Sequence, residues 1–318
     1  MNRKSAMTMK TERIGSPFTV LAVGAAGNVA GLIVPALVAR GARVRGLVRK
    51  PDQADDAKRR GATEVAVGDL ADMQSLQAAL EGVDAVFHVG PVFAPNEIQM
   101  GRNIIQAAAR AGVRKFVFSS VIHPILSQLP NHAAKAQVEE ALINSDLDYT
   151  ILHPTVLFQN YALSWAKTVQ TGILAEPWSP DTRFSRVDYR DVAEIAAITL
   201  TEDRLAYGTF ELCSPGILNR HEVAELLSEV LGRQITVGTL GPGALGQVPA
   251  DMRTMCEHYN HRGLLGSPLV LRAILGREPR TLRAYFEELV SSHAAIENSA
   301  VTKMSSYLQR NNRTTHGN

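Results

Sequence analysis

Hydrophobic positions along this chain fall into two alternating rhythms. FTVLAV (18–23) is almost wholly apolar, the pattern of a parallel strand covered on both faces. Short apolar runs recur at RVRGLVR (43–49), EVAVG (64–68), DAVFHVG (84–90), KFVFSS (115–120) and DYTILH (148–153). Between them lie helical spacings at 28–40, 73–83, 98–112 and 132–146; the second has Leu76 and Leu80 at i, i+4. Pro35 falls inside the first of these and is expected to bend it, its ring opposing the Gly31 carbonyl. This alternation predicts an α/β fold: a doubly wound parallel sheet with right-handed crossovers.

Past residue 155 the rhythm shifts. SRVDY (185–189) and GTFELC (208–213) alternate with helical spacings at 190–202 and 219–232. LGPGALGQVP (240–249) interrupts them before two more helical stretches, 250–264 and 281–291. The expected organisation is a loose N-terminal tail (1–16), a nucleotide-binding domain (17–155), a smaller C-terminal α/β lobe (156–291) whose chain crosses back to the sheet, and a loose tail (292–318). Such a lobe would cover the carboxyl ends of the strands, where open α/β sheets bind ligands.

Composition alters this picture little. Hydrophobic residues make up 45% and charged ones 20%, and the net charge of +2 gives no reason to expect nucleic acid or a membrane surface as partner. The basic N-terminus has no apolar core of the kind a signal peptide needs, and no apolar run reaches the ~20 residues that span a bilayer. Cys213 and Cys256 stand far apart, and neither they nor His221, His258 and His261 have metal-ligand spacing. The expectation is a cytoplasmic protein with free thiols and no metal, monomeric or homodimeric, acting on a small molecule.

The chemistry starts where the first strand runs into Gly24-Ala-Ala-Gly27-Asn-Val-Ala30-Gly31. Glycines there allow a tight turn and let backbone N–H groups approach a pyrophosphate at the start of the next helix. An NAD-preferring site places a carboxylate ~20 residues further on, at the end of the second strand. From Gly31 to Pro51 there is no Asp or Glu, and Arg49-Lys50 stand in that place. A guanidinium pairs bidentately with a 2′-phosphate, so NADP(H) is expected over NAD(H); otherwise both are solvated surface charges. Asp69, after the third strand, either accepts from an adenine amino group or caps the following helix. Gly90 is read as leaving room for the nicotinamide ribose, and Ser119-Ser120 end the fifth strand beside it.

GAAGNVAG, VRGLVRKP, GDL, KFVFSSV, NHAAKAQVEEAL, DYTILHPTVLFQNY, VDYRDVA and ILGREPRTLRAYFEE occur in the order seen in the NmrA-like family, which the chain resembles from about residue 18 to 291. These are atypical short-chain dehydrogenase/reductases with a Rossmann fold, including quinone and azo-dye reductases and NADP-binding regulators. The resemblance implies that Gly24, Ala26, Gly27, Asn28 and Val29 hold the pyrophosphate and Arg49, with Lys50, the 2′-phosphate. It places Asp69 and Leu70 beside adenine, and Val89, Gly90, Pro91 and Ser119 along the ribose and nicotinamide. Lys135 would reach the ribose hydroxyls, with His153 and Pro154 near the carboxamide, where many members have Arg-Pro. Ala30 stands where the third fingerprint glycine would be.

One departure limits the chemistry. A typical short-chain dehydrogenase carries Tyr-x-x-x-Lys after the fifth strand, the lysine lowering the tyrosine pKa so that it serves as acid. Here Lys135 is present and the tyrosine position is Asn131, which cannot be a general acid. Lys135, His153 and His132 are the catalytic candidates; His132 is either a proton donor or a structural helix-start histidine. Phe93, Phe158, Asn160, Tyr161, Tyr189 and His258 are the substrate candidates, the cleft being closed by 156–165 and 250–264. Tyr259 and His123 can reach it from neighbouring loops, while Tyr149 is expected to pack in the sixth strand. Lys135 and Glu139, at i, i+4, read as a solvated helical ion pair. Two functions follow: an NADPH-dependent reductase of quinone-like, azo or enone acceptors, or a non-catalytic NADP(H) sensor acting on a protein partner.

Overall fold

The computed structural model describes residues 18–240 and 249–293. The tails expected at 1–16 and 292–318 lie almost wholly outside these residues, as does most of the Gly/Pro stretch at 240–249. The chain runs β1 (Thr19–Val23), α1 (Ile33–Val38), β2 (Arg43–Val48), α2 (Ala54–Arg59), β3 (Glu64–Val67), α3 (Met73–Leu80), β4 (Ala85–Val89), α4 (Glu97–Ala111), β5 (Lys115–Ser119), α5 (Pro130–Ile143) and β6 (Asp148–Pro154). It continues through β7 (Val156–Leu157), α6 (Asn160–Thr171), β8 (Ile173–Glu176), β9 (Phe184–Val187), α7 (Tyr189–Thr201), β10 (Thr209–Leu212), β11 (Ile217–Leu218), α8 (Arg220–Leu231), β12 (Thr236–Thr239), α9 (Ala250–Tyr259) and α10 (Leu269–Leu275). A last helix begins at 282.

Seven strands form one parallel sheet, in the order β10-β6-β5-β4-β1-β2-β3. This is the doubly wound Rossmann arrangement, with the strand order reversing between β1 and β4. All five residues of β1 are buried because helices cover both its faces. Val20 and Ala22 face α1 and α7, while Leu21 and Val23 face the side covered by α3, α4 and α5.

Two local expectations change. The first helix is shorter than 28–40: Ala30–Leu32 form a 3-10 turn and α1 spans only Ile33–Val38. Pro35 therefore sits in the first α-helical turn, where its missing N–H removes no helical bond, and it is exposed. Asp72, not Asp69, caps α3, its carboxylate accepting from Gln74 N at 3.0 Å.

The lobe is built on a separate core of Phe158, Tyr161, Trp165, Leu174, Val223, Leu227 and the helix carrying Leu282, Tyr285 and Phe286. It carries two small sheets, β11-β9-β7 and β12-β8. Its tie to the main sheet explains two of the motifs. Asp191, fully buried in α7, accepts from Arg277 Nη2 at 2.8 Å, from the Arg280 guanidinium, and from Arg280 N at 2.8 Å. VDYRDVA supplies the carboxylate and GREPR the two guanidiniums.

Candidate functional site

The turn after β1 is held by backbone bonds. Gly24, at φ +72°, and Ala25 both donate to the Leu47 carbonyl, and Gly27 N closes onto Gly24 O at 2.8 Å. Only glycine adopts that φ without strain. A cavity of roughly 370 Å³ opens above this turn. Gly24, Ala26, Gly27 and Ala30 form its floor, Arg49 and Asp69-Leu70 one flank, and Val89-Gly90-Pro91 the other. It thus spans the switch point between β1 and β4. Asn28 and Val29 belong to the same turn, Asn28 exposed at its tip. The close packing expected of the third fingerprint glycine falls to Gly31: a Cβ there would stand 2.5 Å from Ala25 O.

Arg49 and Lys50, expected to choose the nucleotide, are exposed at the end of β2. Gln53 Oε1 accepts from both Arg49 N and Lys50 N, at 3.1 and 3.0 Å, and pins this corner. The Arg49 guanidinium makes no ion pair among the described residues and lines the cavity, whereas Lys50 does not. Asp69 Oδ1 accepts from Ala71 N at 2.8 Å, an Asx-type turn. The Leu70 carbonyl is fixed by the buried amide of Asn103 at 2.9 Å. Gln53 and Asn103 went unnoticed in the sequence because each acts through a hydrogen bond that no motif encodes.

Where a nicotinamide would lie, the ends of β4, β5 and β6 carry a buried polar layer. Lys135 Nζ donates to Glu97 Oε1 at 2.6 Å, both side chains being about 95% buried. Lys135 therefore does not pair with Glu139, and neither group is solvated. Glu139 instead accepts on Oε1 from the Ser120 hydroxyl and from His153 Nε2–H at 2.9 Å. Ser119, on the other side of the sheet, accepts from Tyr189 OH at 2.9 Å. Burial raises the Tyr189 pKa to about 12, against a smaller opposing effect of that hydrogen bond, so the phenol stays neutral. His153 and Pro154 end β6, both buried.

His132 is fully buried. Its Nδ1 lies 3.0 Å from the His123 carbonyl, which can only accept, so Nδ1 carries the proton. Burial pushes its pKa below the usual histidine range, with the His123, His258 and Lys135 charges adding to the shift and the His123 hydrogen bond opposing it. At neutral pH His132 thus presents a bare Nε2, an acceptor rather than a proton donor. Asn131 occupies the tyrosine position on the same helix face as Lys135, and its Oδ1 is buried without a partner. His123 itself has φ +52°, a strained backbone for a non-glycine residue.

The substrate candidates divide. Phe158 and Tyr161 are buried in the lobe core, with rings 5.8 and 5.2 Å from Tyr285 and Phe286, and Tyr189 lies beneath the sheet ends. None of the three lines the cavity. Asn160 is exposed at the start of α6. Phe93, half-buried at φ +64°, stands in the loop after β4, and His258, on α9, accepts from Gln128 in the loop before α5. Trp178, Phe184 and Tyr259 form a separate aromatic cluster with Ile122, Leu126 and Met255, and none of them lines the cavity. Of these, Tyr259 and Met255 fall in the 250–264 stretch expected to close the cleft. Tyr149 packs edge-on against Tyr207. No cluster of His, Cys, Asp or Glu fit to hold a metal occurs among the described residues, and no helix there is long and apolar enough to cross a membrane.

Fold and cavity together define a Rossmann-type protein with a cleft at the switch point of its sheet. Residues 17–289 match the NmrA-like family, and the chain belongs to it. An NAD(P)H azoreductase of Xenophilus azovorans is 29% identical over 296 residues, covering 88% of this chain and all of the relative. An NADPH-dependent quinone oxidoreductase of Escherichia coli, solved with NADPH, superposes with a TM-score of 0.73 at 22% identity, covering 86% of this chain and 100% of that one. A negative transcriptional regulator, NmrA, gives 0.71 at 17% identity, covering 89% and 98%. These two structures bear on the fold alone.

Proposed function

We propose that the protein is an NADPH-dependent oxidoreductase whose acceptor is a small quinone-like, azo or enone compound. The observation that carries this reading is the cleft itself, with a glycine-turn floor and the uncommitted Arg49 guanidinium on its flank; Asn131, where the family's tyrosine would stand, lies outside the cavity lining. The cavity residues fit the cofactor. Gly24, Ala26 and Gly27 leave room for a pyrophosphate, Arg49 would take the 2′-phosphate, and Asp69-Leu70 would flank adenine. When bound, NADPH supplies a hydride at the nicotinamide ring.

The protein's own part is to bind, orient and exclude water. Lys135 would hold the ribose, and the sealed Ser120–Glu139–His153 set keeps the ring of His153 in one orientation. Asn131 can donate an amide hydrogen bond to a developing oxyanion but cannot surrender a proton. A ketone reduced here would be left as a strongly basic alkoxide. A quinone is left as a delocalised phenolate-type anion, which takes its proton from water. The azoreductase relative supports an electron-poor conjugated acceptor.

The missing tyrosine also supports a second reading, an NADP(H) sensor without turnover. NADPH oxidation, followed by absorbance with a panel of quinones, azo dyes and enones, separates the two. Turnover is expected with at least one conjugated acceptor and none with simple ketones. NADPH binding with no turnover across the panel overturns the reductase reading in favour of the sensor.

A further inference from the structure

Lys135 has two carboxylates within its reach. Glu139 lies one helical turn away on α5, the partner that sequence spacing favours. It is already taken by Ser120 and His153. The Lys135 ammonium turns instead to Glu97, 38 residues earlier, at the first position of α4. Neither Glu97 nor Lys135 has another ion-pair partner among the described residues.

Gly90 makes this pairing feasible. A Cβ on Gly90 would stand 2.9 Å from Glu97 Oε1 and 3.4 Å from its Cγ. The Glu97 carboxylate thus fills the volume that a side chain at the exit of β4 would occupy. Gly90 also lines the cavity, so the ion pair lies directly behind the wall of the nucleotide cleft. The Phe118 ring, 5.8 Å from Nζ, supports the ammonium from another side. A buried ion pair is a costly way to fill space, because both charges lose their hydration. What it provides is position: a flexible four-carbon stem held at one point, with two of its three N–H donors left over.

We infer that Glu97 is a positioning residue, fixing the Lys135 ammonium at the β4 exit so that its remaining donors meet the hydroxyls of the nicotinamide ribose. This rests on the cofactor reading above. It also gives Gly90 a different role from the one read in the sequence: its bare backbone admits the Glu97 carboxylate from behind.

The test uses two ligands and the full chain. NADPH reaches the nicotinamide end, whereas 2′,5′-ADP carries only the adenosine half. Dissociation constants from isothermal titration should rise about tenfold for NADPH in Glu97→Gln, with 2′,5′-ADP unchanged. Lys135→Met should show the same selective loss, and the double variant no more than either single one. Glu97→Asp, which keeps the charge on a shorter stem, should recover part of the affinity; it also serves if the glutamine variant does not fold. An unchanged NADPH constant in Glu97→Gln, or equal losses for both ligands, overturns the positioning role. A wild-type chain that binds neither ligand overturns the cofactor reading and this inference with it.

Discussion

At the scale of single residues, charge placement decides the chemistry. Arg49 is exposed and uncommitted, so its contribution should be specific to the phosphate it would meet. Arg49→Asp is expected to weaken NADPH binding about 10- to 100-fold, the worth of a charge-assisted pair, with little effect on NADH. Equal losses for the two nucleotides in parallel titrations would show that Arg49 does not touch the 2′-phosphate. His88 is the opposite case, a buried histidine stacked on Phe118 with its Nδ1 unpaired. Burial, and then the Lys135 charge, pushes its pKa down to about 3. Between pH ~6.5 and ~3 the unfolded chain binds a proton that the folded chain refuses. Stability should therefore fall as pH drops through that window, by up to ~1.4 kcal/mol per pH unit for this one group. Urea titrations of His88→Phe at pH 7.5 and 5.5 should show a flatter dependence than wild type; parallel curves would remove His88 as a cause.

At the scale of elements, the central strands of the main sheet were legible because a parallel strand buried on both faces must be apolar throughout, as β1 is, whereas the short β7, β8, β11 and β12 were not. Helix α2 was not, since ADDAKR buries only Ala57 and offers no apolar spacing to detect. The start of α1 shows how local geometry overrides a fingerprint. With Ala30 in the third position, the chain tightens into a 3-10 turn and the close approach passes to Gly31. A Gly31→Ala side chain would press on the Ala25 carbonyl, a backbone atom that cannot swing aside. The expected cost is about 1–3 kcal/mol of stability with weaker NADPH binding. A thermal midpoint equal to that of wild type would show that the turn yields.

At the scale of the molecule, contacts distant in sequence account for what the chain did not reveal. Lys135 with Glu97, Asp191 with Arg277 and Arg280, and Trp178 with Tyr259 each join segments far apart in the chain. Periodicity reports on one element at a time, so the glycine turn could be read and Ser119, Ser120, Lys135 and His153 could be named, while the way they pair with Glu97, Glu139 and Tyr189 could not. The substrate aromatics Phe158 and Tyr161 were misplaced for the same reason: whether an aromatic faces a cleft or a core depends on which element covers it.

The last strand of the main sheet arrives late. β6 ends at Pro154, and its outer neighbour β10 does not begin until Thr209, after much of the lobe has been made. On a ribosome adding ~5–20 residues per second, the open edge of β6 would wait on the order of 3–10 s for its partner. During that interval the nascent chain exposes a row of unpaired backbone groups suited to pairing with a neighbouring chain. Synthesis and folding are thereby coupled: the interval between β6 and β10 is the one in which a holding chaperone has most to protect.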